Sequence, residues 1–200
     1  HAMLEAGFYL ARSAFEAGLL DIAETRVQEA SAKILQLSDI PARWHLIGTL
    51  QMNKVRPAVR RFSMIQCLDR IELAAAIQRE CEKQNRTMDV LIQVETTGEA
   101  TKHGIRLEDA SKLASALKDF NRLRLRGLMA IGPLTEDHQK IRTCFRALHE
   151  MFQSLRSSTD KDRAFDTLSM GMSNDFEIAV EEGSTMIRVG TLIFGPRPAK

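Results

Sequence analysis

The stretch "MDVLIQVET", residues 88–96, is a nearly continuous apolar run. A run of that kind belongs to a strand covered on both faces, which is the environment of a parallel sheet with helices packed against it. "LRLRGLMAIG" (123–132), "ARWHLIG" (42–48), "SMIQCLD" (63–69), "FDTLSM" (165–170) and "TMIRVGTLIFG" (185–195) read the same way, and "DIAE" (21–24) is a weaker seventh. Helical spacing fills the intervals: Val27, Ala30, Ile34 and Leu37; Ile71, Ala74, Ile77 and Cys81; Ala110, Leu113, Leu117 and Phe120; Ile141, Phe145, Leu148, Phe152 and Leu155. Each series turns one apolar stripe toward a sheet. Strand–helix alternation along the whole chain predicts a parallel sheet with right-handed crossovers. Seven strands come close to the eight that close a barrel, whose sites lie at the carboxyl ends of its strands. The expected fold is α/β, a TIM-type (β/α) barrel spanning residues 1–200 as one domain. An open doubly wound sheet is the alternative, and no G-x-G-x-x-G fingerprint supports it.

Composition removes several function classes. The net charge of +2 is too small for a nucleic-acid module, which clusters Lys and Arg on one face. The densest basic stretch, "VRPAVRRF" with Arg56, Arg60 and Arg61, reads more simply as a solvated helix face. No apolar run approaches the roughly 20 residues that span a bilayer, and no signal segment opens the chain. Cys67, Cys81 and Cys144 show no CxxC pair or metal spacing, so they read as reduced, mostly buried thiols of a cytoplasmic protein. The first three residues, "HAM", look like a cloning remnant. "RSSTDKDR" (156–163) reads as a surface loop.

The stretch "LSMGMSNDFEIAVEEGSTMIRVGTLIFG" (168–195) carries the chemistry. A strand runs into "GMSND" and then into the helix "DFEIAVEEG", for which Ser173 and Asn174 are good N-cap residues. Gly171 allows close backbone approach. The next strand ends "IRVGT", where Gly190 and Thr191 add backbone N–H groups and a hydroxyl. Two such clusters at adjacent strand ends form a phosphate cup, in the corner where barrels commonly grip phosphates. Arg188 and Gly190 are two apart and so face the same side of a strand. A buried arginine is expensive unless paired, so Arg188 is either part of a structural salt bridge or a fixed donor to the ligand in the cup.

These residues resemble the pyridoxal-phosphate (PLP) homeostasis proteins, PLP-binding barrels related to the barrel domain of alanine racemase. The likeness covers roughly residues 16–195. It rests on "WHLIGTLQMNKV" (44–55), on "LRLRGLMAI" (123–131) and on the closing stretch quoted above, continued through "PR". The resemblance implies that Ser173, Gly190 and Thr191 hold the PLP phosphate and that Arg188 donates to the pyridine nitrogen. His45 and Met129 would lie near the ring, and Gln51, Asn53 and Lys54 would line the mouth. It also implies a role in buffering or carrying PLP without turnover, in a monomer. An arginine at the pyridine nitrogen leaves that atom an unprotonated acceptor, which weakens PLP as an electron sink.

The chain departs from the family at its start. The family's first strand ends in a Schiff-base lysine within A-V-S-K. Here the corresponding "HAMLEAGFYLARSAFEAGLLDIAE" has no lysine, and the first is Lys33. Ala23, Glu24 and Thr25 stand where the family has G-E-N. The expectation is a barrel whose first strand is lacking or shortened to something like "GFYLA" (7–11), leaving a seam with two strand edges that a second chain could cover. Three explanations are open: this sequence lacks or alters an N-terminal segment that the native chain has, which is the favoured one and leaves residual PLP affinity in the cup; PLP is held without a covalent bond or lost; or Lys54 or Lys102 substitutes. The competing readings are a PLP-dependent racemase-like enzyme, a barrel enzyme on a phosphorylated metabolite, for which Asp69, Glu95 and Asp166 are the carboxylates near strand ends, and a structural or binding role without ligand.

Overall fold

The computed structural model describes residues 11–98, 103–159 and 164–195. A parallel sheet forms the centre. Its strands are β1 (Asp21–Glu24), β2 (Arg43–Leu46), β3 (Met64–Leu68), β4 (Met88–Glu95), the two-residue β5 (Ile105–Arg106), β6 (Leu123–Met129), β7 (Thr167–Met172) and β8 (Met186–Arg188). They lie in the order β1-β2-β3-β4-β6-β7-β8, every pairing parallel, with β5 added against the end of β4. This is a nearly closed TIM-type barrel. Among the described residues, β1 pairs only with β2 and β8 only with β7, so the expected seam lies between them.

The helices follow the apolar periods. They are α1, whose described part covers residues 11–16, α2 (Val27–Gln36), α3 (Val55–Arg61), α4 (Ile71–Lys83), α5 (Ala110–Ala116), α6 (His138–Ser157), α7 (Phe176–Glu181) and the four-residue α8 (Thr191–Phe194). All five residues of β3 are buried, as a strand covered on both faces requires. Outward positions such as Ile65, Val90, Ile92 and Leu128 join Leu73, Ile77, Phe145 and Phe152 of the helices in one core. Each such side chain contributes about 1.5–3 kcal/mol on burial. Met64, Leu91 and Met129 form a second, smaller cluster.

Several expectations are corrected. The closing strand stops at Arg188 rather than running to residue 195; past Gly190 the chain turns into α8, because ladder pairing ends at Met172↔Arg188. Helix α7 begins at Phe176 with Asp175 at its N-cap position, so Ser173 and Asn174 do not cap it. Of the expected short strand at 7–11, residues 7–10 lie outside the described residues, and Ala11 is helical. The polar stretch 156–163 begins inside α6 and leaves the described residues at 160. Lys102 also lies outside them.

Gly171 and Gly127 are among the glycines that close approach requires. Gly171 has φ +92°, and a Cβ there would lie 2.5 Å from that of Ala179, so β7 and α7 pack as closely as expected. Gly127, at φ +151°, lets β6 approach the Thr167 carbonyl, which a Cβ would meet at 1.8 Å.

Candidate functional site

β7 and β8 are neighbours, so the segments following them are brought side by side. Ser173, just past β7, places its Oγ where the backbone N–H groups of Gly190 and Leu192 both point; they donate to it at 3.2 and 3.3 Å. Two amides from the start of α8 and one hydroxyl therefore converge on a single spot. A Cβ added at Gly190 would meet nothing within 4 Å, so the space beside the cup is open. Thr191 opens α8 and is exposed. Uncharged groups of this kind, oriented N–H dipoles and a hydroxyl whose proton can turn outward, are chemically suited to an anion.

Arg188, the last residue of β8, turns into the barrel. Its Nη1 donates to Ser169 Oγ and its Nη2 to the Ala130 carbonyl, both at 2.7 Å. Neither partner is charged, so the structural salt-bridge reading has no directly bonded carboxylate behind it. Burial pulls its pKa down to about 10, while the Asp175 carboxylate acts in the opposite direction. The guanidinium therefore stays charged near neutral pH. Two of its five N–H groups are spent on the protein, which leaves three for a ligand.

His45 and Met129 sit on the inner faces of β2 and β6. Both ring nitrogens of His45 are engaged, Nδ1 by Gln66 at 3.0 Å and Nε2 by Asp21 at 3.2 Å. Burial lowers its pKa, with Asp21 opposing the shift and Arg43 adding to it. Met129 is fully buried, level with Ser169 on one side and Gln93 on the other. A cavity of about 300 Å³ opens at the carboxyl ends of β1, β2 and β4, lined by Thr25, Gly48, Gln93 and Glu95 among others. A wider surface hollow of about 470 Å³ beside the start of α6 shares no residue with the cup.

Lys33, the first lysine, is ion-paired with Glu24. Because Asp21 faces inward to His45, alternation puts Glu24 on the outer face, beneath α2. Lys33 therefore stands away from the barrel interior. Lys54 lies partly buried in a short 3₁₀ turn, Met52–Lys54, ahead of α3.

The three carboxylates considered for other chemistries do not converge. Asp69 pairs with its neighbour Arg70. Glu95 folds the turn after β4 by accepting from the amides of Thr97 and Gly98. Asp166 pairs with Arg126 just before β7, at the amino end of the barrel. Among the described residues, no cluster of His, Cys, Asp or Glu could hold a metal ion, and no helix is long and apolar enough to cross a membrane.

Sequence reasoning missed Ser169, Gln66 and Asp175. The signal was present for the first two: each is a polar residue at an inward position of an otherwise apolar strand, in "TLSM" and "MIQCL". Both are almost wholly buried. Asp175 carried no such signal, since "SND" reads as turn chemistry.

Comparison with known proteins shows the family and the fold. The family described as "Alanine racemase, N-terminal domain" matches residues 7–198. The pyridoxal phosphate homeostasis protein of Pseudomonas aeruginosa is 40% identical over 186 residues, 93% of this chain and 78% of that protein. Its namesake from Aquifex aeolicus is 41% identical over 186 residues, 93% and 81% respectively. Two solved structures of PipY from Synechococcus elongatus each cover 94% of this chain and 87% of theirs. The one without PLP has a TM-score of 0.88 at 36% identity, and the one with PLP bound 0.86 at 35%. With its barrel, its closing glycine-serine cup and these relatives, the chain belongs to the pyridoxal phosphate homeostasis protein family, whose fold is that of the alanine racemase N-terminal domain.

Proposed function

We propose that this chain binds PLP at the mouth of its barrel and buffers or carries it without turnover. The observation that carries the reading is the convergence of the Gly190 and Leu192 amides with the Ser173 hydroxyl, beside open space and within the same strand end as a fixed arginine. PipY, of the same fold, has been solved with PLP bound, and the curated relatives are named for PLP homeostasis. Ser173, Gly190 and Thr191 would hold the phosphate, and Arg188 would meet the pyridine nitrogen. Met129 would form part of the floor.

Bound PLP supplies an aldehyde and a ring that draws electrons best when its nitrogen is protonated. Arg188 can only donate there, so it favours the unprotonated ring. Ser169 and the Ala130 carbonyl hold that donor in place. The inward-facing His45 has both ring nitrogens committed, to Gln66 and to Asp21. These features favour binding over turnover.

Fluorescence titration of the purified protein with PLP tests the site. Ser173→Ala should weaken binding roughly tenfold, the loss of one hydrogen bond to a charged group, and Arg188→Gln should weaken it similarly. Unchanged affinity in both variants would remove the assignment. Single-turnover assays with added PLP and an L-amino acid should show no conversion; conversion would favour a racemase-like enzyme.

A further inference from the structure

Barrel interiors are normally filled by branched apolar side chains. Here a line of polar groups crosses the interior instead. Arg188 Nη1 donates to Ser169 Oγ at 2.7 Å, and the Ser169 hydroxyl donates to Gln66 Oε1 at 2.7 Å. Gln66 Nε2 then faces His45 Nδ1 at 3.0 Å, with a second contact to Met186 Sδ at 3.2 Å. His45 Nε2 lies 3.2 Å from Asp21 Oδ1, and Asp21 is closed off by Arg43 at 2.6 and 2.7 Å. Five residues on β8, β7, β3, β2 and β1 thus make four consecutive bonds. Ser169, Gln66 and His45 are 0%, 1% and 5% exposed.

The line has a direction. A guanidinium can only donate and a carboxylate can only accept. With His45 neutral, one arrangement gives every proton an acceptor: Arg188 to Ser169, Ser169 to Gln66, Gln66 to Nδ1 of His45, and Nε2–H of His45 to Asp21. A proton added at Nδ1 would set two donors against each other. Turning the Gln66 amide over relieves that clash but then aims its NH2 at Ser169, whose own proton loses its acceptor. Buried polar groups left unpaired in this way are costly.

We propose that Gln66 and Ser169 are positioning residues: through the one-way chain ending on His45 and Asp21 they hold the Arg188 guanidinium at the angle from which its free N–H groups meet a ligand in the cup. The inference rests on the proposed PLP site for its consequence but not for its geometry. The charged and titratable groups facing His45 are Asp21 from β1, Arg43 from its own strand and, further off, Asp89 from β4. Acid conditions that protonate His45 should therefore loosen Arg188 at the far end of the chain.

The test uses the full chain and two variants of nearly equal volume. Gln66→Met keeps the packing but offers no acceptor to Ser169. Gln66→Glu keeps that acceptor, and His45 can satisfy it from the other side by protonating. The first readout is made without PLP: nitrogen-15 NMR of the Arg188 guanidinium, assigned by its loss in Arg188→Lys, where hindered rotation separates the two Nη signals. The separation should persist in the parent and in Gln66→Glu and collapse in Gln66→Met, with circular dichroism unchanged throughout. The second readout is PLP affinity, expected to fall about tenfold in Gln66→Met and little in Gln66→Glu. In the parent, affinity should fall on acidification through the His45 titration, followed by its ring proton shifts, and in Gln66→Glu that titration should move to higher pH. Should Gln66→Met prove unfolded, Ser169→Ala supplies the same comparison. Arg188 signals indifferent to the loss of the Gln66 or Ser169 acceptor would overturn the proposal. Signals that respond as expected in a protein that binds no PLP would uphold the chain while sinking the PLP reading, so the two failures are distinguishable.

Discussion

His45 shows how far one buried side chain can reach. Burial lowers its pKa, with Asp21 opposing, so the folded protein keeps the ring neutral at a pH where an unfolded chain begins to protonate it. The stability this provides is complete above about pH 6.5, the value of an unstrained histidine, and is lost as pH falls below that. Denaturant midpoints measured from roughly pH 8 down to pH 5 should therefore decline, and His45→Gln should flatten the decline. Cys67 and Cys81 provide a second residue-scale check. Burial raises their thiols to about 12 and about 11, so in the folded protein both should resist a thiolate-specific reagent at neutral pH, and Cys144, which is only partly buried, should react first. The sequence marked Ser173, Arg188 and Gly190 because small and charged residues interrupt apolar strands there. It left the partner of Ser173 open, since a serine after a strand caps a helix as readily as it meets an amide across a gap.

At the scale of the element, apolar period was enough to locate β2, β3, β4, β6 and β7 and the four main helices. It failed at β8. "TMIRVGTLIFG" is mostly apolar, yet only Met186–Arg188 pair, and Leu192, Ile193 and Phe194 are exposed in α8. Hydrophobicity reports burial, and pairing needs a neighbour in register, which no local pattern supplies. Helix α6 is set by its start: Asp137 accepts from the Gln139 and Lys140 amides at 3.0 and 3.2 Å. Asp137→Ala should lower stability by about 1 kcal/mol, measured by urea unfolding. Gly127→Ala should do more, on the order of 2–4 kcal/mol, because the new methyl group meets the Thr167 carbonyl in a backbone conformation that L residues avoid.

Over the whole molecule, one barrel with a main core outside it and a small cluster within predicts one cooperative transition. Trp44, the single tryptophan, is 4% exposed in β2, so its emission should be blue-shifted and should change together with circular dichroism on unfolding. Two edges, on β1 and β8, lack a strand partner among the described residues, and Ile187 is exposed on one of them. The proposed state is a monomer, which sedimentation equilibrium checks; a dimer abolished by Ile187→Lys would instead put those edges in an interface. The sequence by itself determined the barrel class and most of the strand–helix alternation, and it marked the residues proposed for a phosphate cup, because apolar pattern, helical period and turn chemistry are local properties. Only the tertiary structure decided that Ser173 meets the amides of Gly190 and Leu192, that Lys33 lies on the outer face, and that Arg188 is tied to His45 through Ser169 and Gln66. Those contacts join strands up to 103 residues apart in the chain, as Ser169 and Gln66 are, and curling the sheet into a nearly closed barrel brings them together.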